Sequence, residues 1–259
     1  MNIVMALAGV VIKEMYRRKD FYVLFVLTVV MTLLMWGMNF FDDTMIVGHI
    51  KEIALLLIWI SALVIAIGTA ARQIPAEREA RTIFPLLAKP VSRGQVMLGK
   101  FIGCWLACGL ALAVFYVFFG VLSGSREHLW PVLQWLKVFS LQWAMLGIVV
   151  SLVLLGSVVF SAPSANATIC FVVVLGILLL GGHLNHVAAQ QPQPLGTVIY
   201  AVYFLIPHLE WYDVRDLIIY DQNWLRWVDC GLAVLYAAVY SGLLLVAAWL
   251  VFRRKALNT

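Results

Sequence analysis

The chain has 259 residues, of which 64% are hydrophobic and 12% charged, with a formal net charge of +5. A soluble domain holds about 45–50% apolar and about 25% charged residues, so these charges could not cover this much apolar surface in water. The composition excludes an ordinary soluble enzyme, and the length leaves no room for a separate catalytic domain of about 100–200 residues beside a membrane domain.

Residues 1–19 come first. The apolar run Ile3 to Ile12 is too short to span a bilayer, and it ends in Lys13, Glu14, Arg17, Arg18 and Lys19. A signal peptide carries its charge before the apolar run. The order here predicts an interfacial helix with its basic residues toward anionic head groups, or else an extension of the first span. Six stretches then meet the requirement of about 20 mostly apolar residues. They are Phe21 to Phe40, Ile50 to Ala71, Val96 to Leu122, Trp135 to Phe160, Asn166 to Leu184 and Cys230 to Phe252. No linker, low-complexity tract or internal repeat divides them. The fold class expected is therefore an all-α integral membrane protein, a single transmembrane domain over residues 1–259.

Orientation follows from lysine and arginine placement. With the N-terminus inside, Lys13, Arg17, Arg18, Lys19, Arg72, Arg78, Arg81, Lys89, Arg93, Lys100, Arg253, Arg254 and Lys255 all fall on the inner face. Only Lys51, Arg126, Lys137, Arg215 and Arg226 fall outside. Both termini are then cytoplasmic. The basic surplus reflects topology, and no nucleic-acid partner is expected. The outer face collects Asp42, Asp43, Glu52, Glu127, Glu210, Asp213, Asp216, Asp221 and Asp229, and all five histidines.

The longest outer segment, residues 185–229, opens with a Gln-Gln-Pro-Gln-Pro loop. Val198 to Ile206 follows, apolar but about half a span long and ended by Pro207, which reads as interfacial or re-entrant. Trp211, Tyr212, Tyr220, Trp224 and Trp227 are expected in the aromatic belt.

The loop between spans two and three, residues 72–95, is the most densely charged stretch of the chain. Pro75 suits a first helical turn, and Glu77 and Glu79 favour the positive end of a helix dipole. Pro85 fits the start of a second short helix with Thr82 as N-cap. Lys89-Pro90 forces an extended joint. Ser92 with Gln95 forms a capping box that starts span three. The pattern predicts short helices held rigidly between two spans. Ile83, Phe84, Leu86 and Leu87 could fit a groove on a cytoplasmic partner or lie on the membrane surface.

The residues Glu77-Arg78-Glu79, Thr82, Leu86-Leu87, Pro90-Val91-Ser92-Arg93, Gly99-Lys100 and Gly103 resemble the permease subunits of ABC-2 type transporters, especially the branch named for multicopper-enzyme maturation. The six-span layout and the long outer segment before the last span are similar too. Arg81 departs from the pattern, since many relatives have glycine before the threonine. The resemblance implies two permease subunits, identical or related, paired in a bacterial inner membrane. Each would dock on a separate ATP-binding subunit, which holds the ATP and magnesium. Export is the family's usual direction. The ATPase-coupling residues it implies are Glu77, Arg78, Glu79, Thr82, Leu86, Leu87, Lys89, Pro90, Ser92 and Arg93. A second reading, from the aromatic and acidic outer segment, is a non-transporting scaffold that holds a periplasmic partner.

Other patterns carry less. Gly94 to Phe101 nearly spells a Walker A loop but lacks the Ser/Thr that binds magnesium. Gly99 and Gly103 are instead expected to allow close helix packing, with Lys100 snorkelling to the inner surface. His183 and His186 sit at i, i+3 spacing, where a metal needs further ligands such as His49, His128 or His208. Cys104, Cys108 and Cys170 fall inside spans and Cys230 near the outer boundary, so a disulfide is not expected. No catalytic constellation is present, so no enzyme activity, metal or cofactor is assigned to the chain itself, and the lack of mid-membrane carboxylates argues against a proton-coupled carrier.

Overall fold

The computed structural model describes residues 3–17, 22, 25, 26, 29, 30, 33, 44–79, 92–128, 130–190, 192, 195–219 and 225–254. The long helices are α2 (Thr44–Ala70), α4 (Arg93–Glu127), α5 (Val132–Val159), α6 (Pro163–Gln190) and α9 (Trp227–Arg254). The shorter ones are α1 (Ile3–Tyr16), α3 (Pro75–Glu79), α7 (Leu195–Leu205) and α8 (Asp216–Ile219), with a 3-10 turn at Leu209–Tyr212. Among the described residues, five helical stretches are long and apolar enough to cross a membrane: Lys51–Glu79, Arg93–Ser125, Val132–Val159, Pro163–Gly181 and Trp227–Arg254. They agree with predicted spans two to six to within a few residues at most boundaries. Most of the predicted first span, and with it the sixth crossing, lies outside the described residues. Its residues 22, 25, 26, 29, 30 and 33 are helical. Phe25 stacks on Phe115 of α4 with ring centroids 5.9 Å apart.

Helix α5 is the central post. From Lys137 to Val158 most of its side chains are buried, and it packs against α2, α4, α6 and α9. Small residues let those neighbours approach, because association inside lipid gains nothing from burying apolar surface and depends on close packing. A Cβ on Gly156 would lie 2.9 Å from the Cys170 sulfur, and one on Gly147 would lie 3.3 Å from Trp105 Nε1. Buried Ser151 and Ser157 turn their hydroxyls back to Ile148 and Leu154 carbonyls, 2.8 and 2.7 Å away, which satisfies them without a partner helix. Across α4 and α5, Trp105 Nε1 donates to the Trp143 carbonyl at 2.9 Å and Trp143 Nε1 to the Trp105 carbonyl at 3.1 Å. Their rings stack at 4.5 Å. Tyr116 donates to Gln142 Oε1 at 2.7 Å in the same interface.

Helix α1 packs along the first half of α4. Ala8, Val11 and Met15 are buried there, while Lys13, Glu14 and Arg17 are exposed. Gly99 and Gly103 make the seat, as their spacing predicted. A Cβ on either would come within 2.9 Å of α1, meeting Leu7 at Gly99 and the Ala8 backbone at Gly103. Helix α4 ends at His128, whose backbone is left-handed with φ 55, a cap that usually falls to glycine or asparagine.

The outer segment folds back onto the bundle. Helix α7 has 11 residues, about 16 Å at 1.5 Å per residue, so it cannot cross. It packs on α6, and the 3-10 turn and α8 pack on α5. Tyr212, predicted in the aromatic belt, is instead buried at 1% exposure. Its hydroxyl donates to the Ala233 carbonyl of α9 at 2.8 Å, so the turn threads it inward while Trp211 stays exposed. Tyr220 and Trp224 lie outside the described residues.

Candidate coupling site

The charged segment between α2 and α4 departs from one end of the bundle and returns to it. Pro75 opens α3, as expected from its fixed φ. Ser92 caps α4 through a complete capping box. Its Oγ accepts from Gln95 N at 3.2 Å, and Gln95 Oε1 accepts from Ser92 N at 2.9 Å. Between these two points, Thr82, Leu86, Leu87, Lys89 and Pro90 lie outside the described residues.

Both stumps of the segment are fixed to the bundle by charge. Arg93 Nη1 donates to the Phe252 carbonyl at 2.6 Å and the Arg253 carbonyl at 3.2 Å. The guanidinium also lies 5.4 Å from the Phe252 ring centroid. It thereby satisfies carbonyls left open by the last turn of α9, where a cation also complements the helix dipole. On the other stump, Glu77 Oε1 lies 2.7 Å from Lys100 Nζ. Lys100 also donates to the Gln73 carbonyl at 2.8 Å and to Gln73 Oε1 at 3.3 Å. Gln73 is in turn anchored to the Thr69 carbonyl at 3.3 Å.

This geometry corrects the expectation for Lys100. It does not snorkel: it is 2% exposed. Its ammonium has three donors, and three acceptors, two on Gln73 in the α2–α3 turn and one on Glu77 of α3, stand within reach. Sequence spacing gave no signal for this, because Glu77 is 23 positions away and Gln73 is 27. Asn166, placed at the start of a span, was also unmarked by any motif. It is fully buried, and Nδ2 donates to the carbonyls of Ala71 and Val153, both at 3.2 Å. It ties the ends of α2 and α5 to α6 beside the same site.

Of the remaining coupling residues, Glu79 is exposed and Arg78 half-buried. Arg78 Nε and Nη2 have no hydrogen-bond partner among the described residues. The near-Walker stretch Gly94 to Phe101 is helical, and Val96 N already bonds the Ser92 carbonyl at 3.2 Å, so it forms no phosphate loop. The four cysteines are buried free thiols. His183 is exposed, and the described residues hold no group of three His, Cys, Asp or Glu side chains placed for a metal.

The opposite end of the bundle is aromatic. His208 is 5% exposed and stacks on Tyr203 at 4.3 Å, with Trp211 at 4.7 Å and Tyr236 at 6.2 Å. Tyr240 donates to the Leu205 carbonyl. Glu210 Oε1 stands 4.0 Å from His208 Nδ1. Burial lowers the His208 pKa, and the Glu210 carboxylate opposes that shift. Lys137 Nζ reaches the Leu225 carbonyl at 2.6 Å, and Arg215 is held in a fork by Asp213 at 2.6 and 2.8 Å.

A bundle of apolar helices, with one charged segment fixed at its base, marks a multi-pass membrane protein. The chain belongs to the ABC-2 family of transporter proteins, whose family model it matches over residues 5–257. Membership makes it a membrane component of an ABC transporter and implies an ATP-binding partner. No curated protein sequence matches it.

Proposed function

We propose that this chain is the permease subunit of an exporter, driven by a separate ATPase subunit through residues 72–95. The observation that carries the reading is the double anchoring of that segment. Its stumps are fixed to α4 and α9 by Lys100–Glu77 and by Arg93, as a force-bearing element requires and a free linker does not. Glu77, Ser92 and Arg93 would hold the ends. Arg78, Glu79 and the intervening Thr82, Leu86, Leu87, Lys89 and Pro90 would meet the ATPase. Exposed Glu79 suits a charge-assisted contact, which fixes orientation more than affinity. The basic bias of this end supports a cytoplasmic orientation by the positive-inside rule, and the family resemblance supports a bacterial inner membrane. A second permease, identical or related, completes the pathway. ATP and magnesium reside on the ATPase.

The test is purification of the tagged chain from its native membrane in mild detergent, with partners identified by mass and ATP hydrolysis assayed. An ATPase near 1:1 is expected, and Glu79→Lys should lower its recovery about ten-fold, since reversing a charge at an interface costs more than about 1.4 kcal/mol. Recovery of a periplasmic protein and no ATPase would overturn the reading in favour of the scaffold.

A further inference from the structure

We infer that Lys100 is the positioning residue through which movement of the 72–95 segment reaches α4, a latch rather than a membrane-surface anchor. The inference rests on the coupling reading above. A lysine that is 2% exposed, at the base of an apolar span, carries a large desolvation cost. Methionine would fill much the same space without that cost. The charge is held by three acceptors, and all three belong to one short stretch, Gln73 and Glu77. Glu77 stands two residues before Glu79, the last described residue before the loop.

The mechanical consequence follows from energetics. Moving α3 away from α4 would strand a buried ammonium, at a cost of several kcal/mol. Moving α4 along with α3 keeps every bond and requires only that helices slide. Lys100 therefore makes rigid-body motion of the pair the lower-energy response. Its position suits this role, seven residues inside the start of α4, or about 10 Å along the axis. The flanking Gly99 and Gly103 seat α1 on the same turns, so a displacement of Lys100 carries α1 as well. At the other stump, Arg93 grips the end of α9. The segment thus drives three helices from two charged contacts.

The experiment uses the complex with its ATP-binding subunit in lipid nanodiscs. A nitroxide is placed at Ser125→Cys, an exposed position at the far end of α4. The native cysteines are buried and escape labelling. In the wild-type background, ATP with vanadate should change the nitroxide spectrum. Lys100→Met should reduce that change at least about five-fold, the lower end of ordinary coupling between sites. ATPase recovery and ATP hydrolysis should persist, and Lys100→Arg should restore the spectral change. If Lys100→Met fails to assemble, Lys100→Gln, which keeps a hydrogen-bonding group without the charge and leaves the coupling residues unchanged, carries the test with the same expected loss. A full spectral response in either assembled variant overturns the latch. So does failure of Lys100→Arg to restore it, which would mean a merely structural pin. Absence of any ATP-binding partner from the wild-type complex overturns the coupling reading, a result distinguishable from loss of the latch alone.

Discussion

The two ends of the bundle are held by different chemistry. The Glu77 end is built from directional polar contacts: Lys100 on Gln73 and Glu77, Arg93 on Phe252 and Arg253, and Asn166 on Ala71 and Val153. The His208 end is built mainly from packed rings, Tyr203, His208, Trp211, Tyr236 and Tyr240, with hydrogen bonds from Tyr212 and Tyr240 and charged contacts from Lys137 to Leu225 and Arg215 to Asp213 beside them. Charge-assisted bonds fix distance and direction, and breaking one inside a low-dielectric region strands a polar group. Stacked rings fill space and tolerate small slides, with each pair worth about 0.5–1.5 kcal/mol beyond its buried area. The first end suits transmission of motion. The second suits a cap that adjusts to it.

Substitutions at each end would sharpen or break this contrast. The largest effect is expected at Asn166→Ala, which leaves the Ala71 and Val153 carbonyls without their donor. A loss of about 2 kcal/mol is expected, read by titration with denaturing detergent in mixed micelles. A loss no greater than that of Tyr212→Phe would erase the distinction between the ends. Tyr212→Phe keeps the ring and removes only the bond to Ala233, so about 1 kcal/mol is expected by the same titration.

The smallest effect concerns pH. Burial holds His208 below its ordinary value near 6.5, so the folded segment binds fewer protons than the unfolded chain as pH falls through that value. The stability contributed by neutral His208 is therefore present near pH 7 and declines as pH falls below about 6.5. His208→Phe keeps the stack and cannot protonate. Tryptophan-fluorescence melts should show a flatter pH dependence in the variant than in the parent, and equal slopes would remove His208 as the cause.

Much of the local structure was legible in the sequence. Ser92 and Gln95 stand three apart and form the capping box their spacing predicted. Gly99 and Gly103 stand one turn apart and receive α1. Pro75 opens α3, and α7 is too short to span. Each of these depends on residues within one or two helical turns. The misread positions share the opposite property. Lys100 looked like an interfacial anchor because nothing nearby in sequence marks its acceptors. Tyr212 looked like a belt residue because the helix that accepts its bond lies 21 positions on. Arg93 was read as a coupling residue, and nothing near it in sequence marks the carbonyls that hold it, 159 and 160 residues away.

By itself the sequence indicated the medium, five of its six expected spans as the described residues show them, and the helix starts at Pro75 and Ser92. An apolar run of about 20 residues has no other solvent than lipid, and capping and proline effects act within a few residues. Only the tertiary structure decided which charges face inward. The partner of a buried ammonium is whatever carbonyl or carboxylate the packing of distant helices brings within 3 Å or so, and that depends on how α2, α3 and α4 meet rather than on the order of their residues.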